Sequence, residues 1–171
     1  GLYERLKKLG IERVLMLTGD RAQAAERSAQ KIGFPKESVR AQCVPEQKVQ
    51  EVLRLHHECP PVVMVGDGVN DAPAIAAADV GIAMGSHGSS ATSEAGDIVI
   101  LVDRIERVAD ALEIGQRVLR IAKESVFIGM GLSIVLMIIA SLGYIAPLAG
   151  ALMQEVIDVI VILNALRALR R

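Results

Sequence analysis

Tryptophan is absent from this 171-residue chain, which holds only two tyrosines, two phenylalanines and two cysteines. Aromatic residues make up 2% of it while hydrophobic residues make up 51%, so Ala, Val, Ile and Leu carry the apolar weight. That fraction is high for a soluble domain and points to contact with lipid. The two cysteines, Cys43 and Cys59, lack CxxC spacing; they exclude a disulfide framework and fit a reducing compartment. His56, His57 and Cys59 cluster just before Pro60 and Pro61, which reads as the end of a helix rather than a metal site. An excess of either charge is also missing: the formal net charge is −1, and nothing points to nucleic acid. No signal peptide is visible, and the chain opens on GLYERLKKLG as if inside a helix, as a piece of a longer protein would.

What is present divides into two regimes. Residues 1–103 alternate short β-branched runs with amphipathic helical stretches, which predicts an α/β domain with a parallel sheet flanked by helices. Strands are predicted at Arg13–Leu17, Val39–Gln42, Val62–Val65, Val80–Met84 and Ile98–Leu101. Crossover helices are predicted at Arg21–Ile32, stopping at Gly33, and at Pro45–His57, with proline in the first turn. Residues 104–123 read as an amphipathic connecting helix, with Ile105, Val108, Leu112, Val118, Leu119 and Ala122 at helical spacing.

From Ser125 through Met153 no residue is charged. Residues 124–143 and 146–167 therefore read as a transmembrane hairpin, since about 20 apolar residues at about 1.5 Å each cross a hydrocarbon core. Arg104, Arg107, Arg117, Arg120 and Lys123 precede the hairpin, and Arg167, Arg170 and Arg171 follow it. Both ends are then expected on the cytoplasmic side, with the turn near Tyr144 opposite.

The chemistry concentrates at predicted strand ends. VVMVGDGVND, Val62 to Asp71, leads a strand into Gly66 and Gly68, which let the backbone turn at the edge where open α/β sheets bind ligands. Asp67 and Asp71, beside Asn70, offer the hard oxygen donors that suit Mg²⁺, usually in company with phosphate. Alone, such a GDG could be a tight turn followed by a helix cap. Two further segments shift the balance. LTGDR, Leu17 to Arg21, ends another predicted strand, where the Thr18 hydroxyl and the Gly19 amide can bind a phosphoryl oxygen. Lys48, in PEQK, can neutralise a transferring phosphoryl group.

LTGD at Leu17–Asp20, PEQK at Pro45–Lys48 and MVGDGVNDAPAIAAADVGIAMG at Met64–Gly85 together resemble the second half of the phosphorylation domain of P-type ATPases, within the haloacid-dehalogenase-like superfamily. NALRALRR, from Asn164, resembles the end of the last membrane helix of the heavy-metal-transporting branch. The resemblance implies a HAD-like Rossmannoid domain followed by the last two membrane helices of a pump in a bacterial plasma membrane, with the domain and C-terminus cytoplasmic. It implies that Asp67 coordinates Mg²⁺ with Asn70 and Asp71 in support, that Thr18 and Gly19 contact the phosphoryl group, that Asp20 fixes their loop, and that Lys48 offsets charge. In such pumps a DKTGT aspartate takes the γ-phosphoryl of ATP and is then dephosphorylated by water. No DKTG occurs here, nor a TGE loop, a nucleotide-binding domain or a CPC motif. By itself the chain is thus expected to be inactive, with the remaining N-terminal part of the pump and the bilayer as its partners. The alternative is a membrane-bound regulatory or assembly module derived from such a pump.

The second membrane segment carries QEVID, Gln154 to Asp158. An acidic group at bilayer depth costs roughly 2.5–3.5 kcal/mol on insertion scales, so it usually faces a partner or a transport path. Glu155 and Asp158, three apart on one helix, are candidate ligands of the transported ion. Copper-type members carry a Met and paired Ser where this chain has Gln154, Ile157 and Asp158. Zinc-type members carry an Asp at Gln154 and a Lys near Ser133, and cobalt-type members match only at Glu155. Carboxylates favour a hard or borderline divalent cation, which disfavours copper.

Overall fold

The computed structural model describes residues 1–85 and 90–169. Arg170 and Arg171, counted above among the flanking charges, lie outside the described residues. The chain forms two compact units, Gly1–Ala111 and Leu112–Arg171.

The first unit runs α1 (Leu2–Lys8), β1 (Met16–Leu17), α2 (Ala22–Ile32), β2 (Val39–Arg40), α3 (Pro45–Glu58), β3 (Val63–Gly66), α4 (Ala72–Ala76), β4 (Val80–Met84), α5 (Ser90–Ala95) and β5 (Ile98–Ile100). All strand pairs are parallel, as the alternation of strand and helix requires. They form two hydrogen-bonded groups, β1–β2 and β3–β4–β5, rather than the single ladder the sequence predicts. The central strand β4 has partners on both sides and spans the predicted Val80–Met84. Its Gly81, Ile82, Ala83 and Met84 are buried.

The predicted strands Arg13–Leu17 and Val39–Gln42 shrink to two residues each. They pair only with each other, over two residue pairs. Arg13 instead ion-pairs with Glu58 of α3 at 2.6 Å, and Gln42 adopts φ +57°, which no strand tolerates.

Small residues let helices close on the sheet: Ala25 and Ala29 of α2 are buried at one-turn spacing. Val52 of α3, Val62 and Ala74 of α4 form a buried cluster with Val49, Leu55 and Met64 against it.

Asp79, between α4 and β4, ties the start of β3 into this layer. Its Oδ2 accepts the Val62 N–H at 2.7 Å, and His56 Nδ1 of α3 lies 3.0 Å away. The Val62 amide first, and His56 second, hold this carboxyl below its ordinary value of 3.8. A depressed carboxyl contributes stability that is complete above its ordinary pKa and is lost as pH falls through the folded-state value. Asp79→Asn is therefore expected to lower stability at neutral pH and to flatten the fall below about pH 4. Unfolding followed across that range checks both, and a variant curve parallel to the wild-type curve would exclude this role.

The second unit is dominated by two long helices. α6 (Glu106–Ser141) is one 36-residue helix without a break near residue 123, and its first six residues belong to the first unit. α7 (Pro147–Ala165) begins with proline in its first turn, where a missing N–H costs nothing. A 3₁₀ turn, Leu166–Leu169, follows. Both helices contain an 18-residue window apolar enough to cross a membrane, with mean hydropathy 2.0 and 1.7. Almost nothing in those windows is buried by the chain itself, and Tyr144 in the connecting turn is exposed. Intermediate or buried positions recur on one stripe of each helix. They include Ser125, Gly129, Ser133 and Leu136 on α6, and Gln154, Ile157, Val161 and Asn164 on α7.

Candidate active site

The carboxyl end of β3 delivers Gly66, Asp67 and Gly68 into a 3₁₀ turn, Val69–Asp71, closed by the Asp71 N–H donating to the Gly68 carbonyl at 2.9 Å. A Cβ on Gly66 would stand 2.6 Å from Cβ of Asp71. Only glycine lets the turn fold back this tightly on its own strand. That closeness buries Asp71, which is 8% exposed.

Its partner comes from α3. Lys48 Nζ lies 2.6 Å from Asp71 Oδ1, and both side chains are largely shielded from solvent. A lysine in the first turn of a helix faces the positive end of the helix dipole, a cost of about 0.3–1 kcal/mol. That is small against the roughly 3–5 kcal/mol incurred when one member of a buried ion pair is removed. The pair therefore decides where this lysine points.

The third element is the loop after β1. Thr18 N–H donates to the Arg40 carbonyl at 3.0 Å, and the Thr18 carbonyl accepts from Cys43 N–H at 2.9 Å. The Asp20 carbonyl accepts from Gln42 N–H at 2.9 Å. Within the loop, Asp20 N–H donates to Thr18 Oγ1 at 3.1 Å, a Ser/Thr-type turn that leaves the hydroxyl proton available. Val44 N–H, next along the docking segment, donates to Gln47 Oε1 at 3.1 Å, and α3 follows at once. Residues 42–43 thus fasten the Thr18-Gly19-Asp20 loop, and the helix they lead into presents Lys48 to Asp71.

Asp67 and Asn70 are exposed at the same strand end and have no side-chain partner among the described residues. The structure thus brings Lys48 to Asp71 and Thr18 to Asp20, and leaves Asp67 and Asn70 open. Gln42 and Cys43 were missed by sequence reasoning. Their contribution is backbone hydrogen bonding, and a left-handed glutamine carries no compositional signal. In the second unit, Asp158 Oδ1 accepts from Gln154 Nε2 at 3.1 Å. Glu155 is exposed without a side-chain partner among the described residues.

Residues 2–79 match the family model of haloacid dehalogenase-like hydrolases. Over 164 residues the chain is 40% identical to a copper-exporting P-type ATPase of Bacillus subtilis (strain 168), covering 95% of this chain and 20% of that protein. It is 36% identical over 169 residues to a cadmium, zinc and cobalt-transporting ATPase of the same strain, covering 96% of this chain and 24% of that protein. A crystal structure of a zinc-transporting PIB-type ATPase in an E2.Pi state superposes with a TM-score of 0.88 at 32% identity. That match covers 99% of this chain and 27% of the other. Nearly the whole chain is thus similar to one segment of heavy-metal-transporting P-type ATPases.

The family sets the frame for the geometry above. The chain spans about a fifth to a quarter of the length of these two curated relatives. They include a copper exporter beside carriers of divalent ions, so relatedness alone gives no ground for setting copper aside. The two long apolar helices agree with the membrane character of the family.

Proposed function

We propose that this chain supplies the Mg²⁺-binding half of a phosphorylation site, and part of the ion path, to an ATP-driven heavy-metal cation pump. The observation that carries this reading is the shielded Lys48–Asp71 pair set beside an open Asp67 at the end of β3. Mg²⁺ suits the donors: it takes one or two carboxylates and completes its shell with water and phosphate oxygens. Asp67 offers an unengaged carboxylate for it, Asn70 an amide oxygen, and Asp71 the carboxylate oxygen that Lys48 leaves free. When bound, the ion offsets negative charge on the phosphoryl oxygens.

The remaining roles belong to the chain's own groups. The Thr18 hydroxyl and the Gly19 amide donate to a phosphoryl oxygen, and Asp20 holds their loop through its backbone bonds. Lys48 supplies a positive charge that Asp71 keeps in place. The aspartate that receives the phosphoryl group lies in the remaining N-terminal part of the pump, which together with the bilayer is this chain's partner. α6 and α7 cross a bacterial plasma membrane, with the first unit and the C-terminus cytoplasmic and the Tyr144 turn opposite. Asp158 and Glu155 serve as ligands of a hard or borderline divalent cation rather than copper.

The test is ATP hydrolysis by the full-length protein containing this chain, with Cu⁺, Zn²⁺, Cd²⁺, Co²⁺ or Mn²⁺ added singly. At least one divalent ion is expected to stimulate it, with Asp158→Ala raising the half-saturating concentration by about tenfold or more. Stimulation by none of the five would overturn the proposal.

A further inference from the structure

Gln154 of α7 bonds both across to α6 and along its own helix. Its amide has two N–H donors, and both are engaged: Nε2 lies 3.1 Å from Asp158 Oδ1 on its own helix and 3.1 Å from Ser133 Oγ on α6. Ser133 Oγ also lies 3.2 Å from Gln154 Oε1, so the hydroxyl sits against the edge of the amide.

The helices are held close enough for this by two further contacts. Asn164 Nδ2 donates to Ser125 Oγ at 2.8 Å, and Ser125 is 4% exposed. A Cβ on Gly129 would stand 2.9 Å from Val161 Cγ2, so only glycine fits there. Ser125, Gly129 and Ser133 recur every four residues on α6, and Asn164, Val161 and Gln154 answer them in reverse order on α7.

We infer that Gln154 is a positioning residue for Asp158. Ser133 fixes the amide, the amide fixes Oδ1 of the carboxylate, and Oδ2 is left for the cation. The inference rests on reading Asp158 as an ion ligand and adds what orients it. Glu155 has no such support, so Asp158 is the dominant ligand of the two. All the groups gathered here are oxygen or amide donors carrying one formal negative charge, a set that favours hard or borderline divalent ions over Cu⁺.

Two kinds of bond are involved, and they differ in strength. The amide–carboxylate bond is charge-assisted and works in a low-dielectric setting, so its loss corresponds to about a tenfold change. The neutral bond between helices is weaker, about threefold on the average measured within membranes.

The experiment uses the full-length protein with Mn²⁺, Co²⁺, Zn²⁺ or Cu⁺ added alone. It measures equilibrium ion binding without ATP alongside the ion dependence of ATP hydrolysis. Gln154→Leu is expected to raise the half-saturating concentration about tenfold and Ser133→Ala about threefold, each with turnover at saturating ion within about twofold of wild type. Ser133→Thr, which keeps the hydroxyl, is expected to restore wild-type affinity. The double variant is expected to bind no more weakly than Gln154→Leu alone, because Ser133 acts through Gln154. Unchanged affinity in both single variants, while the wild type is stimulated, would overturn this inference alone. So would a loss of turnover with affinity intact, the mark of a purely structural residue. A wild type that binds none of the four ions would overturn it together with the reading of Asp158.

Discussion

Asp67→Asn in the full-length protein is expected to lower Mg²⁺-dependent ATP turnover at least a hundredfold, roughly what removing one preorganised charge-stabilising group costs other enzymes. The substitution keeps the shape of the side chain and removes its charge. Asp67 is exposed and without a side-chain partner among the described residues, so no ion pair is broken and little stability should be lost. That separation makes the result readable: the thermal midpoint stays near wild type while turnover collapses. An amide is a poor substitute for a carboxylate toward a hard cation that sheds water reluctantly. The requirement for Mg²⁺ should therefore move to higher concentration before turnover is lost altogether. Wild-type turnover at ordinary Mg²⁺ in this variant would remove Asp67 from the site.

The second large effect concerns the Lys48–Asp71 pair, and it separates stability from chemistry differently. Asp71→Ala leaves the Lys48 ammonium, with 14% of its side chain exposed, facing no counter-charge. The expected loss of folding stability is about 3–5 kcal/mol, and Lys48→Met is expected to cost a similar amount by stranding Asp71. Replacing both, Lys48→Met with Asp71→Leu, removes the two desolvated charges together, and stability is expected to return to within about 1–2 kcal/mol of wild type. Activity is not expected to return, because the positive charge we propose for the phosphoryl group is gone. Denaturant unfolding of the four proteins, read beside their ATP turnover, checks both halves. A double variant with restored turnover would show that the pair is structural only. Asp71 has no side-chain capping bond to α4, so loss of a helix cap does not confound the comparison.

Much of this site was legible because its signals are local. Glycines around Asp67, the threonine and glycine ahead of Asp20, and proline in the first turn of α3 each follow from what a short segment of backbone can do. The continuous apolar run of Val80–Met84 sets a strand whose bounds match, because a central parallel strand is buried on both faces. At β1 and β2 the pattern overstates the strands, which pair over only two residues. Pairing, which ends those strands, is not a property of the strand's own residues.

Other features depend on elements distant in sequence. Nothing in PEQK says that Lys48 reaches Asp71 rather than solvent; 23 residues and a strand separate them. Nothing in QEVID says that Asp158 is the carboxylate held by an amide while Glu155 is not. Helical spacing puts the two acids near each other, but Ser133, 21 residues before Gln154, decides which way the amide turns.

The sequence by itself determined the α/β alternation, the uncharged stretch from Ser125 to Met153 and the residue types at the strand ends. Those depend on backbone sterics and on periodic burial, which act over a few residues. Only the tertiary structure decided which charges are paired and which stay open, because an ion pair or an interhelical amide bond forms wherever packing brings its partners within about 3 Å. In this chain that division leaves Asp67 open and Asp71 engaged, and sets Asp158 apart from Glu155.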